Sequence, residues 1–344
     1  MYLYDCLNSD YEKMSIVETN RLNNKTIFIT GSNGLIGSNV LSYLYYLMTK
    51  KNMSLKIIAH SFSKPTLWLP KDKHIRYLSG DLRELDIDFS FDYLIHAATY
   101  AQPKKVFLNQ NATIDLNIGT YIRLLEVAKR CKAKVLFFST SSIYGNIPKE
   151  QIPAKETYNG NVDCTQVSSL YGESKRMAEI ISQMYMQNGM DIKIIRLAIG
   201  YGPGAKIDDQ RFINEFIKKA ILTKEIRMMD RGEATRQVGF IIDVIEMTMN
   251  ILLSGKGNIY NVSGEYKEGY GAKIRDVAEI IAKLTNAKVI YPQVNNGVKG
   301  AYNSVVIDIT KYKQEFNKNH FIGLEEGLQK TIKWFEKLIA KGQE

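Results

Sequence analysis

From Lys25 onward the chain alternates short apolar runs, rich in β-branched residues, with longer segments whose apolar residues recur every three or four positions. KTIFIT, LKIIAH, YLIHAA, KVLFFST and KIIRLA have the length and composition of buried strands. The pattern predicts helices from about Leu35 to Lys50, around Tyr121 to Arg130, and from about Ser169 to Asn188. In the first of these, Val40, Leu41, Leu44, Leu47 and Met48 share one face, the spacing that docks a helix on a sheet. In the third, Met177, Ile180, Ile181 and Met184 are expected to face inward, and Gly189 is placed to end the helix. Strands alternating with helices predict an α/β fold, a Rossmann-type doubly wound parallel sheet covered on both faces.

Residues 1–23 precede this rhythm as a polar lead-in, expected to be an arm or short helix lying on the surface. After GYGPG (200–204) the rhythm loosens. FINEFIKKAIL reads as a helix there, and QVGFIID and NIYNVSG read as strands that return to the main sheet. The second half therefore predicts a smaller lobe interleaved with the first, with no internal repeat and no low-complexity segment.

Composition narrows the class. In 344 residues, 45% hydrophobic and 24% charged, nothing points to a disordered, fibrous or disulfide-built protein. No run approaches the ~20 apolar residues of a membrane span, and MYLYDCLNSDYEKM lacks the basic flank and apolar core of an export signal. Cys6, Cys131 and Cys164 are odd in number and far apart, which fits reduced thiols and a cytoplasmic location. His60, His74, His96 and His320 lack metal-site spacing, so no metal is expected. The net charge of +10 is scattered in pairs such as Lys104/Lys105 and Lys218/Lys219, so neither a nucleic acid nor a membrane is the expected partner. A phosphate-bearing ligand is a sufficient reason for part of it.

Such a ligand has a candidate site. Thr30-Gly31-Ser-Asn33-Gly34-Leu35-Ile36-Gly37 follows a strand and opens a helix, so its three glycines stand where a pyrophosphate must approach backbone and helix N-terminus. This predicts a dinucleotide-binding domain over 24–199, with a return segment at about 236–262 and a substrate-binding lobe from 200–235 and 263–344. At the end of the second strand a carboxylate normally holds the adenosine ribose of NAD, but the chain reads Ala59-His60-Ser61-Phe62-Ser63-Lys64. Ser61, Ser63 and Lys64 have the chemistry to receive the 2′-phosphate of NADP, and an ordinary solvated loop fits as well, so the choice between NAD and NADP stays open. Asp81 and Leu82 are candidates to cap the adenine, and Ala97, Ala98 and Thr99 to flank the cofactor.

Tyr171-Gly-Glu-Ser-Lys175 sets a phenol and an ammonium one helical turn apart. Tyr46/Lys50 and Tyr100/Lys104 share that spacing, and surface or packing roles suit them better. Position separates the pairs, because only Tyr171 follows, by about 30 residues, a buried strand ending in hydroxyls, FSTSSIYG (138–145). A phenol of free pKa ~10 becomes a usable base when Lys175 and a nicotinamide cation stabilise its anion. Thr140 would hydrogen-bond the substrate oxygen whose proton Tyr171 takes while hydride leaves its carbon.

With TGSNGLIG, GDLRE, HAAT, GTYIRLLEVAKR, FFSTSSIYG, YGESK, RLAIGYGPG, ATRQVGFIID and LEEGLQKTIKWF in this order over roughly 25–335, the chain resembles an extended short-chain dehydrogenase/reductase of the nucleotide-sugar epimerase/dehydratase group. The resemblance implies a nucleotide-diphosphate sugar as substrate, contact of Arg236 with the diphosphate, and a homodimer in which the Tyr171 helix and the helix near Tyr121 form a four-helix bundle. HAATYAQPKK is closest to the uronate decarboxylase and sugar 4,6-dehydratase branches and implies that Tyr100 and Gln102 face the sugar. Dehydratases of the group carry an acid pair where this chain has Ser141 and Ser142, which disfavours dehydration, and decarboxylases usually keep a glutamate at the second place. AYNSVVIDITK also offers no arginine, Ile199 replaces an amide that normally touches the substrate, and Asn117 stands two residues before Gly119 where the group has three.

The expected activity is therefore oxidation or epimerisation at carbon 4 of a nucleotide sugar, with polysaccharide synthesis as one setting. Decarboxylation or dehydration with an acid relocated to Glu173 is the alternative. A catalytically silent dinucleotide-binding sensor is a third reading, which leaves the hydroxyl, tyrosine and lysine without a purpose.

Overall fold

In the computed structural model, which describes residues 2–265, 271–293 and 304–342, the apolar runs become β1 (Lys25–Thr30), β2 (Leu55–Ser61), β3 (Ile75–Ser79), β4 (Tyr93–His96), β5 (Lys134–Thr140) and β6 (Ile192–Leu197). The following strands are β7 (Ile199–Tyr201), β8 (Glu225–Arg227), β9 (Thr235–Arg236), β10 (Val238–Phe240), β11 (Ile259–Val262), β12 (Ala272–Lys273), β13 (Lys288–Ile290) and β14 (Ser304–Val305). Seven of them form one parallel sheet of order β11-β6-β5-β4-β1-β2-β3. The chain steps outward from β1 to β2 and β3, then crosses to β4 and continues to the other edge. That reversal opens a crevice at the carboxyl ends of β1 and β4, where open α/β sheets bind ligands. The predicted doubly wound sheet is the one observed.

The helices are α1 (Leu3–Tyr11), α2 (Leu35–Lys50), α3 (Pro103–Leu108), α4 (Gln110–Asn117), α5 (Gly119–Cys131), α6 (Leu170–Gln187), α7 (Phe212–Thr223), α8 (Ile241–Ser254), α9 (Ile274–Thr285), α10 (Thr310–Phe316) and α11 (Leu324–Ala340). Val40, Leu41, Leu44 and Leu47 of α2 are buried as expected, and Tyr43 and Tyr46 on its other sides are buried too, because α1 and α8 also pack on it. No helix among the described residues is long and apolar enough to cross a membrane.

Three local expectations are corrected. The lead-in is not confined to the surface: Leu3, Leu7 and Tyr11 of α1 are within 2% of complete burial. The Leu3 amide donates to the Trp68 carbonyl (2.9 Å), and Asp10 pairs with Lys330 of α11. QVGFIID is strand only through Phe240, because Ile241 starts α8, and Val238–Phe240 pairs with β7 rather than with the main sheet. NIYNVSG does return, as edge strand β11 beside β6. In α6 only Ile181 of the four expected inward residues is buried, whereas Met177, Ile180 and Met184 are 46–59% exposed. Gly189 ends that helix at φ +86° as expected. Residues 301–303, which begin AYNSVVIDITK, and parts of the expected C-terminal lobe lie outside the described residues.

Candidate active site

The glycine loop between β1 and α2 is shaped by what surrounds it. Gly31 has φ +77°, and a Cβ there would lie 2.8 Å from the backbone of Ala97 and Ala98 at the end of β4. Gly37 is excluded from carrying a side chain by the Gly31 carbonyl, 2.3 Å from its ideal Cβ. Gly34 differs: it caps α2 with extended backbone, and a Cβ there would press only on the Gly31 oxygen at 3.3 Å, a milder crowding than at Gly31 or Gly37. The stronger demand for glycine there would come from a pyrophosphate lying on the helix N-terminus.

A cavity of about 500 Å³ opens over this loop, a size suited to a cofactor. Gly31, Asn33, Gly34, Leu35, Ile36 and Gly37 line it from β1 and α2, Ser61 and Ser63 from the end of β2, and Asp81 and Leu82 from the turn after β3. Ala97, Ala98, Thr99, Tyr100 and Gln102 line it beyond β4. Lys64 does not line it. The Lys64 carbonyl instead accepts from the Asn33 amide (2.8 Å), which also donates to the Ser63 hydroxyl (2.9 Å), while the Ser61 hydroxyl donates to the Ser63 carbonyl (2.7 Å). Much of the hydrogen bonding of the 61–64 loop is thus spent on its own shape. The Gln102 amide oxygen is buried and has no partner among the described residues, as suits a ligand contact.

The cavity also gathers residues that periodicity did not reveal. The loop after GYGPG brings Lys206, Asp209 and Arg211 over it, and Lys105 reaches Asp208 from the opposite wall at 3.6 Å. Arg83 is clamped by Asp81 and Arg211 by Asp209. With Arg83, Arg211 and Lys105 each facing a carboxylate, Lys206 is left as surplus positive charge beside the glycine loop, which favours an anionic ligand. The only sequence signal for this loop was a cluster of charges after Pro203.

Beside the cavity, β5 ends in Thr140 and runs into Ser141 and Ser142, against which α6 begins. The Thr140 hydroxyl accepts from the Ser142 amide and donates to the Ser142 hydroxyl, both at 3.1 Å. Thr140 and Ser141 are buried and Ser142 is exposed. Burial pushes the Tyr171 phenol up to about 12, opposed by a hydrogen bond with Thr140 and by the Arg211 guanidinium. Lys175 is completely buried, donates to the Phe138 carbonyl (2.8 Å) and lies 4.6 Å from the Phe137 ring centre. Burial lowers its ammonium to about 7 against the pull of Glu179 one turn on. Arg211 is thus a cation acting on the phenol that the sequence did not point to.

Two buried chains hold this corner. Thr99 donates to the Asn117 amide oxygen (2.8 Å), Asn117 donates to Ser174 (3.0 Å), and Ser174 donates to the Tyr171 carbonyl (2.9 Å), joining the cofactor strand to the Tyr171 helix. Ser139 donates to Glu179, which is paired with Arg196 (2.7 Å), and Arg196 donates to Tyr144 (3.0 Å). Ile199 stands two residues beyond Leu197, the partner of Thr140 in the β5–β6 register. The Ile199 amide donates to the carbonyl of Gln237, next to Arg236, and Arg236 donates to its neighbour Thr235. Glu173, the candidate relocated acid, is paired with Arg176 at 3.1 Å.

A switch-point crevice, a glycine cradle with surplus positive charge, and a buried hydroxyl, tyrosine and lysine together define the class of dinucleotide-dependent α/β enzymes. The chain belongs to the NAD dependent epimerase/dehydratase family, whose sequence model matches residues 27–263. It is similar to UDP-glucuronic acid decarboxylase 6 of Arabidopsis thaliana, 30% identical over 315 residues that cover 89% of this chain and 87% of that protein. In structure it is similar to UDP-glucose 4-epimerase of Thermotoga maritima, solved with UDP-glucose (TM-score 0.77, 21% identity, 91% and 99% coverage). It is also similar to dTDP-glucose 4,6-dehydratase of Bacillus anthracis, solved with NAD (TM-score 0.72, 20% identity, 91% and 97% coverage). The two solved structures share the predicted fold, and the three proteins are named for three different reactions.

Proposed function

We propose that the chain oxidises, and in the simplest cycle epimerises, carbon 4 of a nucleotide-diphosphate sugar. What supports this reading is that Thr140 hydrogen-bonds Tyr171, that Lys175 one turn on is bonded to the Phe138 carbonyl of the same strand, and that both positions after Thr140 are serines. A bound nicotinamide would supply a reversible hydride acceptor. Tyr171 takes the proton of the sugar hydroxyl, and Thr140 hydrogen-bonds the same oxygen. A phenol at about 12 stays protonated at neutral pH, so Tyr171 works only with positive charge beside it, and Arg211 is part of that charge. Lys175 lies near its midpoint at pH 7, with Glu179 favouring its charged form against burial.

A second reading, loss of the carboxyl group from a uronate, is favoured by the 30% identity with a UDP-glucuronic acid decarboxylase. Oxidation at carbon 4 turns a uronate into a β-keto acid, which releases carbon dioxide without an acid at Ser142. Dehydration has less support, since removal of the carbon 6 hydroxyl needs a proton donor and Glu173 is held by Arg176.

The experiment is to identify any dinucleotide released on denaturation by mass spectrometry, then to incubate enzyme with UDP-glucose and UDP-glucuronic acid. An unchanged product mass with altered configuration supports epimerisation, a two-hydrogen loss oxidation alone, and loss of carbon dioxide the second reading. No dinucleotide binding and no turnover would overturn both.

The expected homodimer is part of the proposal. Met177, Ile180 and Met184 of α6 form an exposed apolar stripe, and Ile114 of α4, which packs on α6, is 41% exposed. Their burial against a second copy would complete a bundle of helices. Tyr121 is not part of that surface, being fully buried against His96 and Phe137.

A further inference from the structure

His60 ends up in an unusual position for a polar side chain. It is the penultimate residue of β2, in register with Thr30 of β1, and its carbonyl accepts from the Ser32 amide of the glycine loop (2.9 Å). The ring lines the dinucleotide cavity and is 2% exposed, and neither ring nitrogen makes a hydrogen bond of normal geometry among the described residues. Leaving a buried polar atom unpaired costs about 1–3 kcal/mol, so such a group signals a missing partner. The end of this strand is where dinucleotide folds place the adenosine ribose. The serine hydroxyls beside it are committed to the loop, with Ser61 donating to Ser63 and Ser63 accepting from Asn33.

We propose that His60 reads the 2′ position of the adenosine ribose and sets the choice between NAD and NADP. The inference rests on the dinucleotide cavity described above and is independent of which sugar is turned over. A neutral imidazole offers one donor and one acceptor, the complement of a 2′-hydroxyl. A protonated imidazole offers two donors and a positive charge, the complement of a 2′-phosphate. The groups facing the ring are the Gly80 backbone and Asp81 after β3 and His96 on β4, with Arg83 clamped onto Asp81. Burial holds the ring below the usual histidine range despite Gly80 and Asp81, so it is neutral at physiological pH and suits NAD. Binding of NADP takes up a proton. The phosphate raises the ring's pKa, so NADP gains affinity as pH falls through that raised value and loses it above, by at most about tenfold per pH unit.

The test is calorimetric binding of NAD and of NADP between pH 8 and 6.5 to the wild-type protein, H60Q and H60D, after bound nucleotide has been stripped. The wild type should prefer NAD at pH 8, and the NADP-to-NAD affinity ratio should rise several-fold on acidification. In H60Q that rise should fall to what the phosphate's own titration gives, and in H60D the ratio should drop at least tenfold. A ratio within twofold of wild type in both variants at every pH would overturn the proposal. Wild-type protein that binds neither dinucleotide would fail the cavity itself, a separate result. If the variants do not fold, proton NMR of the wild type decides, with the four histidines assigned by substitutions at His74, His96 and His320. The His60 resonance should titrate at higher pH in the NADP complex than in the NAD complex, and equal titration in the two would refute the assignment.

Discussion

Alanine placed separately at Gly31 and Gly34 should produce opposite failures. At Gly31 the new Cβ would stand 2.8 Å from the Ala97 carbonyl and the Ala98 nitrogen, in backbone at φ +77°. The left-handed conformation costs alanine about 1–2 kcal/mol, and the contact with fixed backbone about 1–3 more. G31A should therefore lose roughly 2–5 kcal/mol of stability, a severe effect for one methyl group. Gly34 has extended backbone with φ −79° and ψ 164°, and its nearest neighbour lies at 3.3 Å. There the Gly31 carbonyl must give by a few tenths of an ångström, so alanine should cost clearly less than at Gly31, about 1 kcal/mol, partly offset because a Gly→Ala exchange also restricts the unfolded chain. The same methyl group would occupy space needed by a pyrophosphate, so dinucleotide affinity should fall at least tenfold. Urea unfolding of nucleotide-free protein, which keeps bound ligand from adding apparent stability, and calorimetric titration with NAD separate the two effects. If G34A binds dinucleotide as tightly as wild type, the pyrophosphate does not lie on the N-terminus of α2 and the cradle argument fails.

Three further outcomes follow from the corner at Tyr171. Y171F should abolish turnover of any accepted nucleotide sugar while leaving dinucleotide affinity within about threefold, because the phenol's proton transfer is worth ~10²–10⁴ in rate; retained turnover would remove Tyr171 from the chemistry. R211Q removes a cation that lowers the phenol, so the acidic limb of kcat against pH should move to higher pH, with activity falling more at pH 7 than at pH 9. An unmoved profile would show that Arg211 does not act on Tyr171. R196M leaves Glu179 buried without its cation, and should cost about 3–5 kcal/mol in urea unfolding; an unchanged midpoint would make that pair dispensable.

The parts of the fold readable in the sequence are those where one physical demand dominates. Strands β1, β2, β4, β5 and β6 are buried on both faces and so appear as continuous apolar runs. Strand β3 was not legible, because at the sheet's edge only Ile75 of IRYLS is buried. Helix α8 hid because its β-branched start, GFIID, reads as the end of a strand, although Asp243, Glu246 and Asn250 recur at helical spacing further on and are buried with the rest of the helix. The glycine loop was readable because steric exclusion leaves few alternatives. Lys206 and Arg211 were not, since nothing local tells that the loop after GYGPG folds back over β1 and β4. Asn117 lay between, noticed as a displaced residue but understood only once it was seen to join Thr99 to Ser174.

Helix α6 shows why the remaining error was of direction rather than of kind. Its apolar positions were identified correctly, but periodicity gives an apolar face without naming what covers it. Lys175, Glu179 and Ser182 occupy the side turned to the sheet and α5, where they meet Phe138, Arg196 and Tyr121, so the polar residues are the buried ones. That inversion is tolerated because the buried Lys175 ammonium has the Phe138 carbonyl and the Glu179 carboxylate for company. The apolar stripe of Met177, Ile180 and Met184 is then displaced to the outside, on the same helix that carries Tyr171. Covering it with a second copy would fix the helix from both sides and hold the phenol against Thr140. A double substitution, I180D with M184D, should therefore yield a monomer in light scattering with lower kcat and unchanged dinucleotide affinity, and a dimer that survives these two charges would place the interface elsewhere.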